Sequence, residues 1–132
     1  KAAIKHEGND LTIVTYGAMV EKSLRAAREL EKKNYSIEVI DIRTIVPLDI
    51  ETIIKSVKKT GKVIVFHEDT KFLGLGAEIA SEIAEKAFEY LDAPVRRVAG
   101  LHIHIPFSPV LERTALPQDD WILKAAEEML SY

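Results

Sequence analysis

The chain has 132 residues, enough for one hydrophobic core and too few for two substantial ones. Hydrophobic residues make up 47% and charged residues 30%, which excludes a disordered chain, and the net charge of -3 is spread through mixed-sign runs such as "RELEKK", which leaves no basic face to track a nucleic-acid backbone. The absence of cysteine excludes disulfides, thiolate metal sites and a cysteine nucleophile, the apolar runs are too short to span a membrane, and no secretory leader is recognisable, so a cytoplasmic protein is expected.

Taken in order, "KAAIKHEG" reads as an edge strand whose Lys1, Lys5 and His6 discourage further pairing. "LTIVTY" (Leu11 to Tyr16) is a β-branched run that reads as a buried strand. Val20, Leu24, Ala27 and Leu30 then recur at helical spacing and make one apolar stripe. "IEVIDI" (Ile37 to Ile42) is a second buried strand, followed by Asp49 after Pro47 as the cap of a helix carrying Ile50, Ile53, Ile54 and Val57. Thr60-Gly61 ends that helix, and "KVIVFH" (Lys62 to His67) is a third buried strand. Gly74 and Gly76 precede a helical stripe of Ile79, Ile83, Ala87 and Leu91, which Asp92-Ala93-Pro94 stops. "VRRV" (Val95 to Val98) is a weaker strand, and an irregular segment of about twenty residues, of a length that often serves partner binding, leads to a last helix over Asp119 to Leu130 that buries Ile122, Ala125, Ala126 and Met129.

Strands alternating with helices of this length call for parallel pairing with right-handed crossovers, so the expected fold is α/β, a three-layer α/β/α sandwich over residues 1–132 as a single domain. Lys1 in place of an initiating methionine fits a fragment of something longer.

The carboxyl ends of parallel strands share one rim, and ligands of open α/β sheets gather there. Tyr16-Gly17, Asp41-Ile42-Arg43, His67-Glu68-Asp69 and Gly100-Leu101-His102 fall on it. Gly74-Leu75-Gly76 can present backbone N–H groups to an anion at a helix start, or simply permit a tight turn; the third glycine of a dinucleotide fingerprint is replaced by Ile79, and there is no Walker lysine. His67 beside two carboxylates has the chemistry for proton transfer, yet no nucleophile is tied to it by spacing, and a locally bonded histidine is the alternative. His102 and His104 lie on one face if extended and are either a partial metal site or a polar strand edge. Asp41 and Arg43 face alike and can pair.

"TYGAMV", "EVIDIRTIVPLD", "HE" at His67-Glu68, "GAE" at Gly76 to Glu78 and "LDAPVRRV", in that order and spacing, resemble the carboxyl-terminal domain of the beta subunit of thiamine-diphosphate-dependent 2-oxoacid dehydrogenases, the transketolase carboxyl-terminal type. The resemblance covers nearly the whole chain. It implies a five-stranded mixed sheet of order 1-3-2-4-5 with strand 1 antiparallel, and a crevice between the loops after Tyr16 and after His67. It also implies that thiamine diphosphate and magnesium bind in domains outside this chain, with no catalytic, cofactor or metal residue here. Tyr16, Gly17, Arg43, His67, Glu68, Gly74, Gly76, Glu78 and His102 are then crevice or interface residues. The implied partners are an alpha subunit, a second beta subunit and the acyltransferase core, docked near the last helix and Tyr132. Relatives of this type carry an arginine and paired glycines where this chain has Lys71-Phe72-Leu73-Gly74, and an aspartate where it has His102. Transketolase, a free-standing anion-binding module and a histidine metal protein are the alternatives.

Overall fold

The computed structural model describes residues 2–43, 48–67, 70–99 and 118–132. In chain order the elements are β1 (Ala3–His6), β2 (Leu11–Thr15), α1 (Ala18–Glu31), β3 (Ile37–Asp41), α2 (Ile50–Thr60), β4 (Val63–His67), α3 (Thr70–Lys86), a 3-10 turn (Phe88–Tyr90), β5 (Arg96–Ala99) and α4 (Gln118–Leu130). The five strands form one sheet of order β1-β3-β2-β4-β5. Pairing is parallel for β2 with β3, β2 with β4 and β4 with β5, and antiparallel for β1 with β3. Both the order and the reversed first strand agree with the expectation.

All five residues of β2 and all five of β4 are buried, as strands covered on both faces must be. Their alternation divides the core. Leu11, Ile13, Ile64, Phe66 and Val98 face α1 and α4, meeting Leu30, Trp121 and Met129. Val14, Val63 and Val65 face the other way onto Ile53 and Val57 of α2 and Ile79 and Ile83 of α3.

The helix ends follow local chemistry. Asp49 caps α2 by accepting from the backbone N–H of Thr52 at 3.2 Å and from its hydroxyl at 2.7 Å. Gly61 closes the same helix in the left-handed region at φ 76° and donates its N–H to Val57 O at 2.7 Å. In α1 the buried side is Met19, Ser23, Ala26, Ala27 and Leu30, so the stripe is rotated from the one that Val20 and Leu24 suggested; those two are half-buried at its margin. Ser23 can occupy the interior because its hydroxyl donates to Met19 O at 2.8 Å.

A larger departure concerns the glycines. Helix α3 begins at Thr70, so Gly74 and Gly76 lie inside it rather than before it. Each glycine costs a helix about 1 kcal/mol relative to alanine. Leu75 between them packs on the core that α2 and α3 share, and that burial extends the helix through them. Gly76 is itself buried. Their N–H groups therefore belong to helix interior, and the reading of an anion cradle at a helix start is corrected.

One polar cluster interrupts the apolar layer between the sheet and α2. The Thr12 hydroxyl lies 2.7 Å from Ser56 Oγ and 2.8 Å from Thr60 Oγ1. Next to it Glu38 of β3, whose side chain is 1% exposed, accepts from Lys59 Nζ and from the Gly8 N–H. Burial pushes the Glu38 carboxyl up, but hydrogen bonds from Lys59, Ser56 and Gly8 outweigh it and hold it below the usual range. A carboxyl held low adds stability above its unfolded value near 4.5, and loses it as pH falls through the folded value.

Replacing Glu38→Gln therefore lowers stability at neutral pH by about 1–3 kcal/mol, and the gap to the parent protein closes on acidification; urea melts at a series of pH values measure both. Nothing stands within 4 Å of a Cβ built on Gly74, so Gly74→Ala fits without displacement. It raises stability by about 0.5–1 kcal/mol, a melting shift of roughly 2–4 °C, whereas a loop glycine needing a left-handed conformation loses stability on the same change.

Candidate functional site

Because β2, β3, β4 and β5 run the same way, their carboxyl ends Thr15, Asp41, His67 and Ala99 form one rim. Chain connections leave β2 toward β3 on one side and return to β4 on the other, so the crevice of this sheet opens between the ends of β2 and β4. Tyr16 and Gly17 follow β2 at that point. Gly17 starts α1 with φ 65° and ψ -138°, a conformation open to glycine, and no side chain caps the helix there. Space around Gly17 is open. Tyr16 is half-buried and packs against the buried cluster on the α2/α3 side of the sheet, to which Val14 and Ile42 belong.

His67 is fully buried at the end of β4, in register with Ala99. Alternation along β4 places it on the same side as Val63 and Val65, beneath α2 and α3. Ile42 joins the rim through its N–H, which donates to Thr15 O at 2.8 Å. Beside it Arg43 Nε stands 3.7 Å from Asp41 Oδ2, with the arginine largely exposed, so the pairing expected from their spacing is present as a surface contact.

The structure thus brings Tyr16, Arg43, His67 and the Gly74–Gly76 turn of α3 to one end of the sheet. Gly74 and Glu78 are exposed on α3. Glu68, His102 and His104 lie outside the described residues. Glu38, whose carboxyl is held low by its hydrogen bonds despite burial, is near the opposite end of its strand, adjoining the α2 carboxyl terminus, so it takes no part at the rim. Among the described residues no group of three His, Cys, Asp or Glu is placed to hold a metal ion, and no helix is long and apolar enough to cross a membrane. The arrangement can pack against another surface and present an arginine to it.

A second surface escaped the sequence reading. Beside β5, which is the edge strand of the sheet among the described residues, the outer side of α3 and the turn after it form an open groove lined by Ala80, Ala84, Phe88, Leu91, Pro94 and Val95, with Asp92 and Arg97 at its margin. Phe88 is 73% exposed. The only signal was compositional: alanines on the solvent side of α3, where charged residues are the rule, and an aromatic just past its end.

The family model for the transketolase C-terminal domain matches residues 1–122. Over all 132 residues the chain is 47% identical to the pyruvate dehydrogenase E1 component subunit beta of Staphylococcus epidermidis and 46% identical to that of Staphylococcus aureus, and it spans 40% of the length of each. Among solved structures, a split-gene transketolase described as an inactive beta4 tetramer superposes with a TM-score of 0.71 at 27% identity, over 99% of this chain and 41% of that one. The 2-oxoglutarate:ferredoxin oxidoreductase from Magnetococcus marinus superposes with a TM-score of 0.60 at 11% identity, covering 98% of this chain and 20% of that one, a likeness of fold alone. With the reversed first strand, the strand order and the family match over residues 1–122 in agreement, the chain belongs to the transketolase C-terminal domain family.

Proposed function

We propose that this chain is the carboxyl-terminal domain of the beta subunit of a 2-oxoacid dehydrogenase, and that its work is to pack against neighbouring subunits and shape the approach to an active site built elsewhere. The observation that carries this reading is identity of 46–47% along the whole chain to subunits of that description. The chemistry of the rim supports it: Tyr16 and His67 are packed inward, and Arg43 alone among these three is largely exposed.

On this reading the complete enzyme decarboxylates a 2-oxo acid oxidatively in the cytoplasm. Thiamine diphosphate, when bound there, supplies the carbanion chemistry. That cofactor and its magnesium are assigned to domains outside this chain, and no residue here is assigned to hold them. This chain's contribution is positional. Tyr16, Gly17, Arg43, His67, Gly74, Gly76 and Glu78, with Glu68 and His102, are the residues assigned to the crevice or to subunit contacts.

The partners are an alpha subunit, a second beta subunit and the acyltransferase core of a multienzyme complex. For the core, the carboxyl end of α4 is the assigned contact. There Lys62 Nζ lies 3.4 Å from Leu130 O and 3.3 Å from Tyr132 O, which fixes the end of the helix, and Tyr132 is 69% exposed.

The test uses the 132-residue chain alone and the chain within a reconstituted enzyme. Calorimetry of the isolated chain with thiamine diphosphate and magnesium gives no binding heat at micromolar concentrations, and no 2-oxo acid is consumed. Joined to the preceding part of a beta subunit and mixed with an alpha subunit, it supports turnover. Consumption of a 2-oxo acid by the isolated chain overturns the proposal, as does full activity of the enzyme with this domain deleted.

A further inference from the structure

His6, in the edge strand β1, has an oxygen atom against each ring nitrogen. Nδ1 is 2.7 Å from the carbonyl oxygen of Ile37, and Nε2 is 2.7 Å from Glu31 Oε1. A carbonyl only accepts, and so does an ionised carboxylate. Both contacts are therefore hydrogen bonds only when both ring nitrogens carry hydrogen. A ring with one hydrogen keeps one bond and turns a lone pair toward the other oxygen, a repulsive contact.

We infer that His6 is a proton-operated latch: the imidazolium ties β1 to the last residue of α1 and the first residue of β3, and loss of its proton releases one tie and loosens the edge strand. The local structure is suited to this. The register of β1 against β3 shifts between Ile4 and His6, so the ladder is already irregular beside the histidine. The imidazole is 24% exposed, enough to exchange its proton with solvent. β1 has only four residues, all partly or fully exposed, and among the described residues it pairs with β3 alone. Little apolar burial holds it, so side-chain ties carry an unusual share of its anchoring.

Lys22 and Arg25 of α1 also carry charge, and several other charged groups on the packed elements are engaged elsewhere. On α1 and the turn after it, Arg28 faces Glu21, Lys32 faces Glu29 and Lys33 faces Glu127. On β3, Glu38 holds Lys59 and the Gly8 N–H, and Asp41 faces Arg43. In the loop before β2, Asp10 accepts from the Ser36 N–H at 2.7 Å. Lys5 and Glu7 flank His6 on its own segment. Glu31 is thus the carboxylate whose charge the imidazole meets. The latch goes beyond the proposed function and does not depend on it.

The experiment follows the labelled 132-residue chain by nuclear magnetic resonance between about pH 5.5 and 8.5. Long-range proton–nitrogen spectra report the His6 ring, and amide exchange, corrected for the intrinsic rate, reports protection of β1. Both His6 nitrogens are protonated at the acid end, and protection of the β1 amides falls on the order of five-fold as the ring loses a proton, while α4 protection holds steady. Glu31→Gln offers an amide that can donate or accept, so it satisfies the ring in either state and flattens the β1 response; circular dichroism confirms that this surface variant is folded. Unchanged β1 protection across the range, or the same fall in Glu31→Gln, overturns the latch.

Discussion

The fold depends on a requirement of its two central strands. Leu11 to Thr15 and Val63 to His67 are buried at every position, so each needs an apolar layer on both sides, and every backbone N–H and C=O along them needs a partner in the sheet. Parallel pairing of β2 with β3 and β4 meets the second need. The first is met by α1 with α4 on one side and α2 with α3 on the other. Removing either layer would expose half of the core, which is why helices as different in composition as α1 and α4 share one role.

Beside α2 the polar groups that enter this core are hydrogen-bonded, whereas Thr15 Oγ1 and Trp121 Nε1 are buried with no hydrogen-bond partner among the described residues. Thr12 points toward α2 and finds the hydroxyls of Ser56 and Thr60, while Glu38 draws a lysine, a hydroxyl and a backbone N–H around itself. Such a cluster contributes little net energy beside an apolar one, but it accepts only one setting of α2 on the sheet. At the other end of the sheet β4 finishes in His67, fully buried, while Tyr16 just past β2 is half-buried and Arg43 just past β3 is largely exposed.

Much of this was legible in the residues. β-Branched runs at Leu11, Ile37 and Lys62 marked the strands, Asp49 and Gly61 marked both ends of α2, and Ile122, Ala125, Ala126 and Met129 marked the buried side of α4. The parallel character followed from alternation alone, while the position of the reversed β1 needed the family resemblance. Two features were hidden for physical reasons. Ser23 looks polar in a pattern but satisfies itself within the helix, so the face of α1 was misjudged. Gly74 and Gly76 look like punctuation, but burial of Leu75 outweighs their cost to a helix. The rim was legible as a location, from strand ends, and not as an activity. No spacing revealed the groove beside β5, because it is made by what α3 leaves uncovered.

The direction of β1 has a consequence for how a longer polypeptide must be wired. Running opposite to its neighbour, β1 sets Ala3 beside Asp41 at the rim, and the Ala2 N–H reaches Asp49 at the start of α2. A polypeptide joined ahead of Ala3 would therefore arrive beside Arg43, on the end of the sheet where Tyr16 and His67 also finish. Had the strand run parallel, that junction would fall at the far end, about 10 Å away for a four-residue strand. The orientation of this short edge segment would thus bring an upstream module to the same end of the sheet as the crevice.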